Sequence, residues 1–596
     1  MTQDIVGAEL ANDRIEITFS DHGASYRNKE IVVTVPTVKW DSKEETWYAA
    51  KSWPVCHALR GVFGQRLVIG PALHEWATQM SEWNSYVKLI HDSEDVDGDD
   101  REYTFQRVGT QWLKAVRYGI LADEMGTGKT VQACVALEEL ATLDHTETHN
   151  CLRNPVLIVA PKSVKRVWLA HLKEWAPSIR AEIVGGSAAA RRKTLLKLDS
   201  GEIDCVIMNY ESLRMHSRLK AYGKYKMSDE EKTKKELNRE WSVVIADEAH
   251  RAKAPGAKQT RALWGATEHA QYRWAFTGTP IANSPEDLWS LLHFIFPEWW
   301  PTKTEWIDRY ARKSWSFDGS GMNIDGLNPA TEPEMRLTLD VHMLRRTKEE
   351  VLPWLPPIVE EERYVTLSPK ERKAYKEMRD ELVTELESGD ELIAWNPMVK
   401  LTRLLQLANA SLERDETWVP VKEDDPEEKF LLCEPSSKLD TLMDLLDDLG
   451  DKQVIIAAAS RQLIELAEKR LEKAEITYGS VHGKVSADQR AANVDAFQEG
   501  KLRCMLLTVS AGGEGITLTA ADTLIFLQRP FSNVQNVQTM ARFHRLGQLA
   551  EQVTIIDLIS EDTADERVFE ILEGKQESLE EVVQDRKRIL SIIKGD

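Results

Sequence analysis

Gly119-Ile-Leu-Ala-Asp-Glu-Met-Gly-Thr-Gly-Lys-Thr-Val-Gln-Ala133 is the stretch on which the reading of this chain turns. It reads as a short apolar strand, a glycine-punctuated loop, and a helix opened by Lys129-Thr130. Such a loop cradles phosphate. Gly126 and Gly128 let backbone N–H groups approach a polyphosphate, and the helix N-terminus adds the positive end of its dipole. Lys129 is placed to hold the β- and γ-phosphates, and the Thr130 hydroxyl to ligate Mg²⁺. Asp123, Glu124, Met125 and Thr127 complete the expected ATP-binding loop. The strict pattern asks for glycine five residues before Gly128, where Asp123 stands, so the loop alone leaves an ordinary glycine turn open.

A second run narrows the choice. Trp241-Ser-Val-Val-Ile-Ala-Asp-Glu-Ala-His250 is apolar and ends in adjacent carboxylates, as a buried parallel strand does when it delivers an acid to its C-terminal end. Asp247 at that tip is suited to hold Mg²⁺, usually through water, and Glu248 to orient and deprotonate the attacking water. By itself the run also reads as a strand ending in a solvated acidic turn. Beside a phosphate loop it reads as the acidic half of a site that hydrolyses a nucleotide.

These two stretches, followed by Phe276-Thr-Gly-Thr-Pro-Ile-Ala-Asn283 and Leu288-Trp-Ser-Leu-Leu292, resemble the Swi/Snf branch of superfamily 2 helicase-like ATPases. Further blocks appear in the family's order. Phe105-Gln106 with Trp112-Leu113 resembles the adenine-reading glutamine motif, which implies Gln106 at the nucleotide. Ala160-Pro-Lys-Ser163, with Trp168 and Trp175, resembles the first strand-contacting motif and implies Lys162 and Ser163 on DNA. Met343-Leu-Arg-Arg-Thr-Lys348 resembles the segment leading out of the first lobe. Ser510-Ala-Gly-Gly-Glu-Gly-Ile516 resembles motif V, implying Ser510 and Gly512 on DNA and Gly515 at ATP. Gln538-Thr-Met-Ala-Arg-Phe-His-Arg-Leu-Gly-Gln548 resembles motif VI, and Val481-His-Gly483 the DNA-contacting loop of the second lobe, with His482 and Gly483 as contacts.

The resemblance covers about residues 100–580. The chain departs from the family pattern at Glu514, Thr517, Ala541 and Phe543, which marks it as a divergent member, yet Arg542 and Arg545 are in place. In a two-lobe ATPase such arginines come from the lobe opposite the phosphate loop. A finger of this kind is worth ~10³–10⁵ in rate, by stabilising charge on the γ-phosphate. The catalytic set expected here is therefore Lys129, Glu248, Arg542 and Arg545, with Thr130 and Asp247 on the metal.

Composition bounds the alternatives. At 596 residues the length prior gives roughly three to four domain-sized units. No run of eighteen apolar residues exists, and Met1-Thr-Gln-Asp-Ile-Val6 lacks the features of a secretory signal. The six cysteines, Cys56, Cys134, Cys151, Cys205, Cys433 and Cys504, form no C-x-x-C pair, which argues against a zinc ribbon or a disulfide framework and for a reducing, cytoplasmic compartment, where the resemblance implies association with DNA. A net charge of −21 does not argue strongly against nucleic acid, because steering depends on local patches.

The fold expected is α/β, with two RecA-like doubly wound parallel sheets, helical protrusions and a small N-terminal α+β module. The divisions expected are 1–95 for that module, 96–296 for lobe 1, 297–437 for helical protrusions and interlobe linker, 438–560 for lobe 2, and 561–596 for a helical brace. In the module, Ile15–Phe19 and Ile31–Val35 read as strands, Lys39–Tyr48 as an aromatic hairpin, and Pro54–Phe63 as a helix. The module faintly resembles the HARP-type domain that precedes annealing helicases; a small domain whose tryptophans are only core reads equally well. Asp92–Arg101 is an acidic boundary, and the mixed-charge insertion Arg218–Asn238 reads as a solvated face.

The resulting expectation is a monomeric, ATP- and Mg²⁺-dependent translocase on double-stranded or forked DNA, acting in repair, fork remodelling or protein displacement, with no membrane partner. Two other readings stand beside it: a strand-separating helicase or motor subunit of a restriction or defence system, and a catalytically silent DNA-binding scaffold.

Overall fold

The computed structural model describes residues 5–20, 26–142, 152, 154–216, 237, 239–278, 285–300, 302–315, 322–381, 383–385, 391–393, 397–414, 430–512 and 515–573. The insertion Arg218–Asn238 (except Leu237), the segment 279–284, Gly513-Glu514 and the tail from 574 lie outside them. The chain divides into two compact units, Met1–Val351 and Leu352–Asp596.

The first unit is built on a seven-stranded sheet. Its strands run in the order Met343–Leu344, Tyr118–Leu121, Tyr272–Phe276, Val243–Asp247, Val156–Val159, Cys205–Met208 and Ala181–Ile183. Every pairing is parallel. The central strands are buried at every position or all but one, as expected of a sheet with helices on both faces. The second unit carries six parallel strands in the order Ile358–Val365, Val553–Ser560, Thr523–Gln528, Val454–Ala458, Cys504–Thr508 and Tyr478–Val481. These are two RecA-like sheets. Residues 297–437, which read as helix-rich, also hold the strands Ala311–Trp315 and Met322–Leu327, and contribute Ile358–Val365 to the second sheet.

The outermost strand of each sheet turns the same corner. After Ala181–Ile183 the chain passes Gly185-Gly186 to Ser187, whose hydroxyl caps the helix Ala188–Asp199 through Ala190 N–H. Arg191 reaches back to the Gly186 carbonyl at 2.6 Å. After Tyr478–Val481, Ser486 caps Ala487–Gln498 through Gln489 N–H, and Arg490 reaches back to the Val485 carbonyl at 2.9 Å. Capping satisfies an orphan helix donor, and the arginine then closes the turn.

The N-terminal module is a five-stranded sheet in the order Lys39–Asp41, Thr46–Ala50, Arg14–Phe19, Val6–Ala11, Leu67–Ile69. The expected hairpin is present, with Trp40 and Trp47 rings 5.3 Å apart, and so is the helix Trp53–Phe63. Ile31–Val35 is not a strand. The helix Tyr26–Val32 ends there in a turn, with Val32 and Val35 both buried three residues apart, so a β-branched run here serves helical spacing. The module continues into the helix Pro71–His91, whose Val87 belongs to the same apolar cluster as Trp112 and Leu113. Trp83 donates its indole N–H to Ala115 O at 2.8 Å and lies 5.5 Å from the His342 ring. The module thus keeps an apolar core of its own, and its last helix, Pro71–His91, is packed into the core of the first sheet through Val87, Trp83 and Ile90.

Candidate active site

The phosphate loop follows the strand Tyr118–Leu121 and feeds the helix Lys129–Thr142. Gly126 (φ 90°) and Gly128 (φ 84°) occupy the left-handed region, where a side chain would be strained. Lys129 Nζ is held at the loop by Asp123 O (2.6 Å) and Glu124 O (3.1 Å), and Thr127 Oγ1 donates to Glu124 O. Thr130 is half-buried in the first turn of the helix.

Three side chains of the loop turn inward. Asp123 is fully buried against Arg346, Glu124 Oε2 accepts Lys348 N–H at 2.8 Å, and Met125 is buried against Gly278. A Cβ on Gly278 would come within 2.5 Å of Met125 Cγ, so the glycine seats the loop. These residues offer the site backbone rather than side chain. Gln106 behaves likewise: Oε1 accepts Tyr103 N–H and Nε2 donates to Thr127 O at 3.0 Å, so its amide braces the loop.

The acidic pair stands at the C-terminal end of Val243–Asp247. Trp168 donates to Asp247 Oδ2 at 2.7 Å and Tyr210 to Asp247 O at 2.8 Å. Burial first, and then the charge of Glu248, raise the Asp247 carboxyl to about 6. Glu248 is left-handed (φ 49°, ψ 51°), and its buried Oε2 accepts no hydrogen bond among the described residues. His250 Nδ1 is 3.4 Å from Glu248 Oε2 and 3.4 Å from Thr277 Oγ1. Burial pushes this imidazole down to about 4, so it is neutral and brings Glu248 no countercharge.

A helix-opening loop with two left-handed glycines, a lysine at its mouth, and a buried carboxylate oxygen with no hydrogen bond among the described residues fit a Mg²⁺–nucleotide. Lys129 and the loop amides are suited to its phosphates, and Thr130 and Asp247 to its ion.

In the second unit, Arg542 and Arg545 follow the helix Asn533–Met540. Arg545 Nε is buried with no acceptor among the described residues, and burial, then Arg542, push its pKa down to about 10. Their neighbours explain the departures from the family pattern: Phe543 is fully buried in the apolar cluster with Leu518 and Phe526, and Ala541 closes the helix.

Set against known families, residues 105–412 match the SNF2-related domain, more than half of the chain, and residues 437–547 match the helicase conserved C-terminal domain. The chain belongs to the SNF2-related family. Similar proteins include the ISWI chromatin-remodeling complex ATPase ISW1 of Saccharomyces cerevisiae, 28% identical over 488 residues, which are 80% of this chain and 40% of that protein. An uncharacterized ATP-dependent helicase of Mycoplasma pneumoniae is 26% identical over 480 residues, 79% of this chain and 41% of that one. This chain thus spans about two fifths of the length of both relatives. Among solved structures, the SWI2/SNF2 ATPase core of Sulfolobus solfataricus in complex with dsDNA aligns with TM-score 0.35 and 23% identity, covering 82% of this chain and 96% of that one.

In this SNF2-related ATPase the residues expected on DNA divide. Lys162 is exposed and Ser163 half-buried after the strand Val156–Val159; Ser510 and Gly483 are exposed and half-exposed loops carry Gly515, while Gly512 ends the short helix Val509–Gly512. His482 is buried, with Nε2 3.2 Å from Glu468 Oε1, so it orders its loop. Trp168 is fully buried on Asp247, and Trp175 carries Arg101 over its ring at 4.5 Å. Trp168 serves the interior, and Trp175 is half-buried at its edge. Sequence reasoning did not single out Arg346, Tyr210 or Gln132; the first two reach the site by tertiary contacts, and Gln132 also donates to Asp123 within the same loop and helix.

Proposed function

We propose that this chain is an ATP-driven translocase on double-stranded DNA. The observation that carries the reading is the phosphate loop, whose Lys129 acts on the Asp247 carboxyl, beside a Glu248 oxygen that is buried and accepts no hydrogen bond among the described residues. ATP, when bound with Mg²⁺, supplies the γ-phosphoryl group. Lys129 places positive charge on its phosphates, Thr130 and Asp247 hold the ion, and Glu248 orients a water and accepts its proton. Arg542 and Arg545, from the second unit, supply the finger charge. Lys162, Ser163, Gly483, Ser510 and Gly512 contact DNA through its backbone, which positions the protein without reading sequence. Repair, fork remodelling and displacement of bound protein are the settings this activity serves.

The test compares ATP turnover with duplex, forked and single-stranded DNA and with RNA. Duplex stimulation that is lost in Lys129→Ala and Glu248→Gln, with nucleotide still bound by Glu248→Gln, is the expected result. Stimulation by single strands alone would replace the duplex translocase with a strand-separating helicase. No turnover on any substrate would leave a DNA-binding scaffold.

A further inference from the structure

The segment Met343–Lys348 runs along the phosphate loop as a strap. Met343–Leu344 pairs in parallel with Tyr118–Leu121, and the hydrogen bonding continues past the strand. Ala122 N–H donates to Leu344 O at 2.7 Å, Glu124 N–H to Arg346 O at 2.9 Å, and Lys348 N–H to Glu124 Oε2. Arg346 then crosses beneath the loop. Its Nε and Nη2 take Asp123 Oδ1 and Oδ2 at 3.0 and 2.5 Å, its backbone N–H also takes Oδ1, and Nη1 donates to Phe105 O at 2.5 Å. Nη2 also reaches Gln132 Oε1 at 3.2 Å. One guanidinium therefore pins the helix Thr104–Val116, the first residue of the loop and the helix Lys129–Thr142.

We infer that Arg346 is a positioning residue for the nucleotide loop, acting through Asp123 on Lys129. The chain of contacts is short. Arg346 fixes the Asp123 carboxylate, and the carbonyl of the same residue holds Lys129 Nζ at 2.6 Å. The Arg346 side chain is 14% exposed and that of Asp123 0%, so neither charge has water to fall back on. Removing one partner of such a pair leaves an uncompensated buried charge, and the loop must move to relieve it. The fork matters as well as the charge: a lysine can neutralise Asp123 but cannot also reach Phe105 and Gln132 from one planar group. The space is filled, since a Cβ on Gly109 would come within 1.8 Å of Gln132 Oε1 and 3.0 Å of Arg346 Nη2.

This inference rests on residues 123–130 being the nucleotide site, and the experiment separates the two. Binding of mant-ADP is measured without DNA, well below the unfolding temperature, for the full chain and for Arg346→Ala, Arg346→Lys, Asp123→Asn, Arg346→Ala/Asp123→Asn and Lys129→Ala. Misplacement of a positioned group by about 1 Å costs up to ~10²-fold, so Arg346→Ala and Asp123→Asn should each weaken binding at least ~10-fold. The double variant should be no weaker than the worse single one, and Arg346→Lys should recover only part of the loss. Parent-like binding by Arg346→Ala, or fully additive losses in the double variant, overturns the assignment. Should Arg346→Ala fail to fold, Arg346→Lys carries the test, and parent-like binding by it overturns the proposal. Parent-like binding by Lys129→Ala would instead remove the loop as the nucleotide site.

Discussion

Glu248 pays for its position twice, and replacing it by glycine should make the first unit more stable while stopping turnover. A side chain in the left-handed region costs roughly 1–2 kcal/mol, and Glu248 lies there at φ 49°. Its Oε2 is buried and accepts no hydrogen bond among the described residues, a desolvation cost of about 1–3 kcal/mol. Against these gains, glycine adds roughly 0.5–1 kcal/mol of unfolded-chain entropy, and the variant loses whatever packing the side chain provides. A net gain of about 1–2 kcal/mol is expected. Unfolding entropy of roughly 2.1 cal/mol/K per residue over a unit ending at Val351 turns that gain into a rise of about 1.5–3 °C in Tm. Glu248→Gln keeps the backbone strain and should rise less; Glu248→Asn, tolerated in this region, should fall between. All three should lose at least ~10²-fold in ATP turnover, the usual worth of a general base. Thermal unfolding without nucleotide and steady-state turnover are the two readouts. A Tm below the parent's for Glu248→Gly, or turnover within a few-fold of the parent, would refute the reasoning.

Three other perturbations test separate parts of the structure. Burial pushes the Glu102 carboxyl up to about 7, opposed by the Thr110 hydroxyl on Oε1, so its stabilising contribution is present below the unfolded value of 4.5 and lost as pH rises through about 7. Glu102→Gln should therefore match the parent's Tm near about pH 5 and exceed it near about pH 8.5 in a pH-series of thermal melts. Deletion of residues 1–95 should not leave a sound ATPase, because Val87 and Trp83 leave the core shared with Trp112 and Ala115; circular dichroism melts should show loss of the cooperative transition. Arg545→Ala should cost on the order of 10³-fold in DNA-stimulated turnover while nucleotide-free DNA affinity, measured by fluorescence anisotropy, changes little.

Much of the fold was legible because parallel strands announce themselves. Val156–Ala160, Val206–Asn209, Val243–Ala246 and Met505–Val509 read as short β-branched strands between helical segments, and the strands Val156–Val159, Cys205–Met208, Val243–Asp247 and Cys504–Thr508 lie on them to within one residue at each end. Ile31–Val35 misled for a local reason, since β-branched residues at a helix exit look the same as a strand until Val32 and Val35 are seen facing one core. At the site, motif spacing located the loop and the acidic pair but not where their side chains point. Asp123 and Glu124 turn inward because Arg346 and Lys348 wait more than 220 positions downstream. His482 read as a DNA contact and Trp168 as part of the first strand-contacting motif, and in the structure Glu468 and Asp247 are their partners. Tertiary partners at such separations leave no periodic trace in a sequence.

The matching corners of the two sheets fix the direction in which two guanidinium groups point. Arg191 spends its three guanidinium nitrogens on Gly186 O, His216 Nε2 and Met215 Sδ, and Arg490 commits Nε to Val485 O. They act as rivets at the places where each outermost strand delivers its chain to a helix. The acceptors are uncharged, so in a chain of net charge −21 both guanidinium groups keep their charge while their direction is fixed. In the DNA contacts proposed above, phosphate is met by backbone amides of such turns beside the exposed Lys162. Geometry, more than charge density, sets such a grip, and an acidic protein loses little by relying on it.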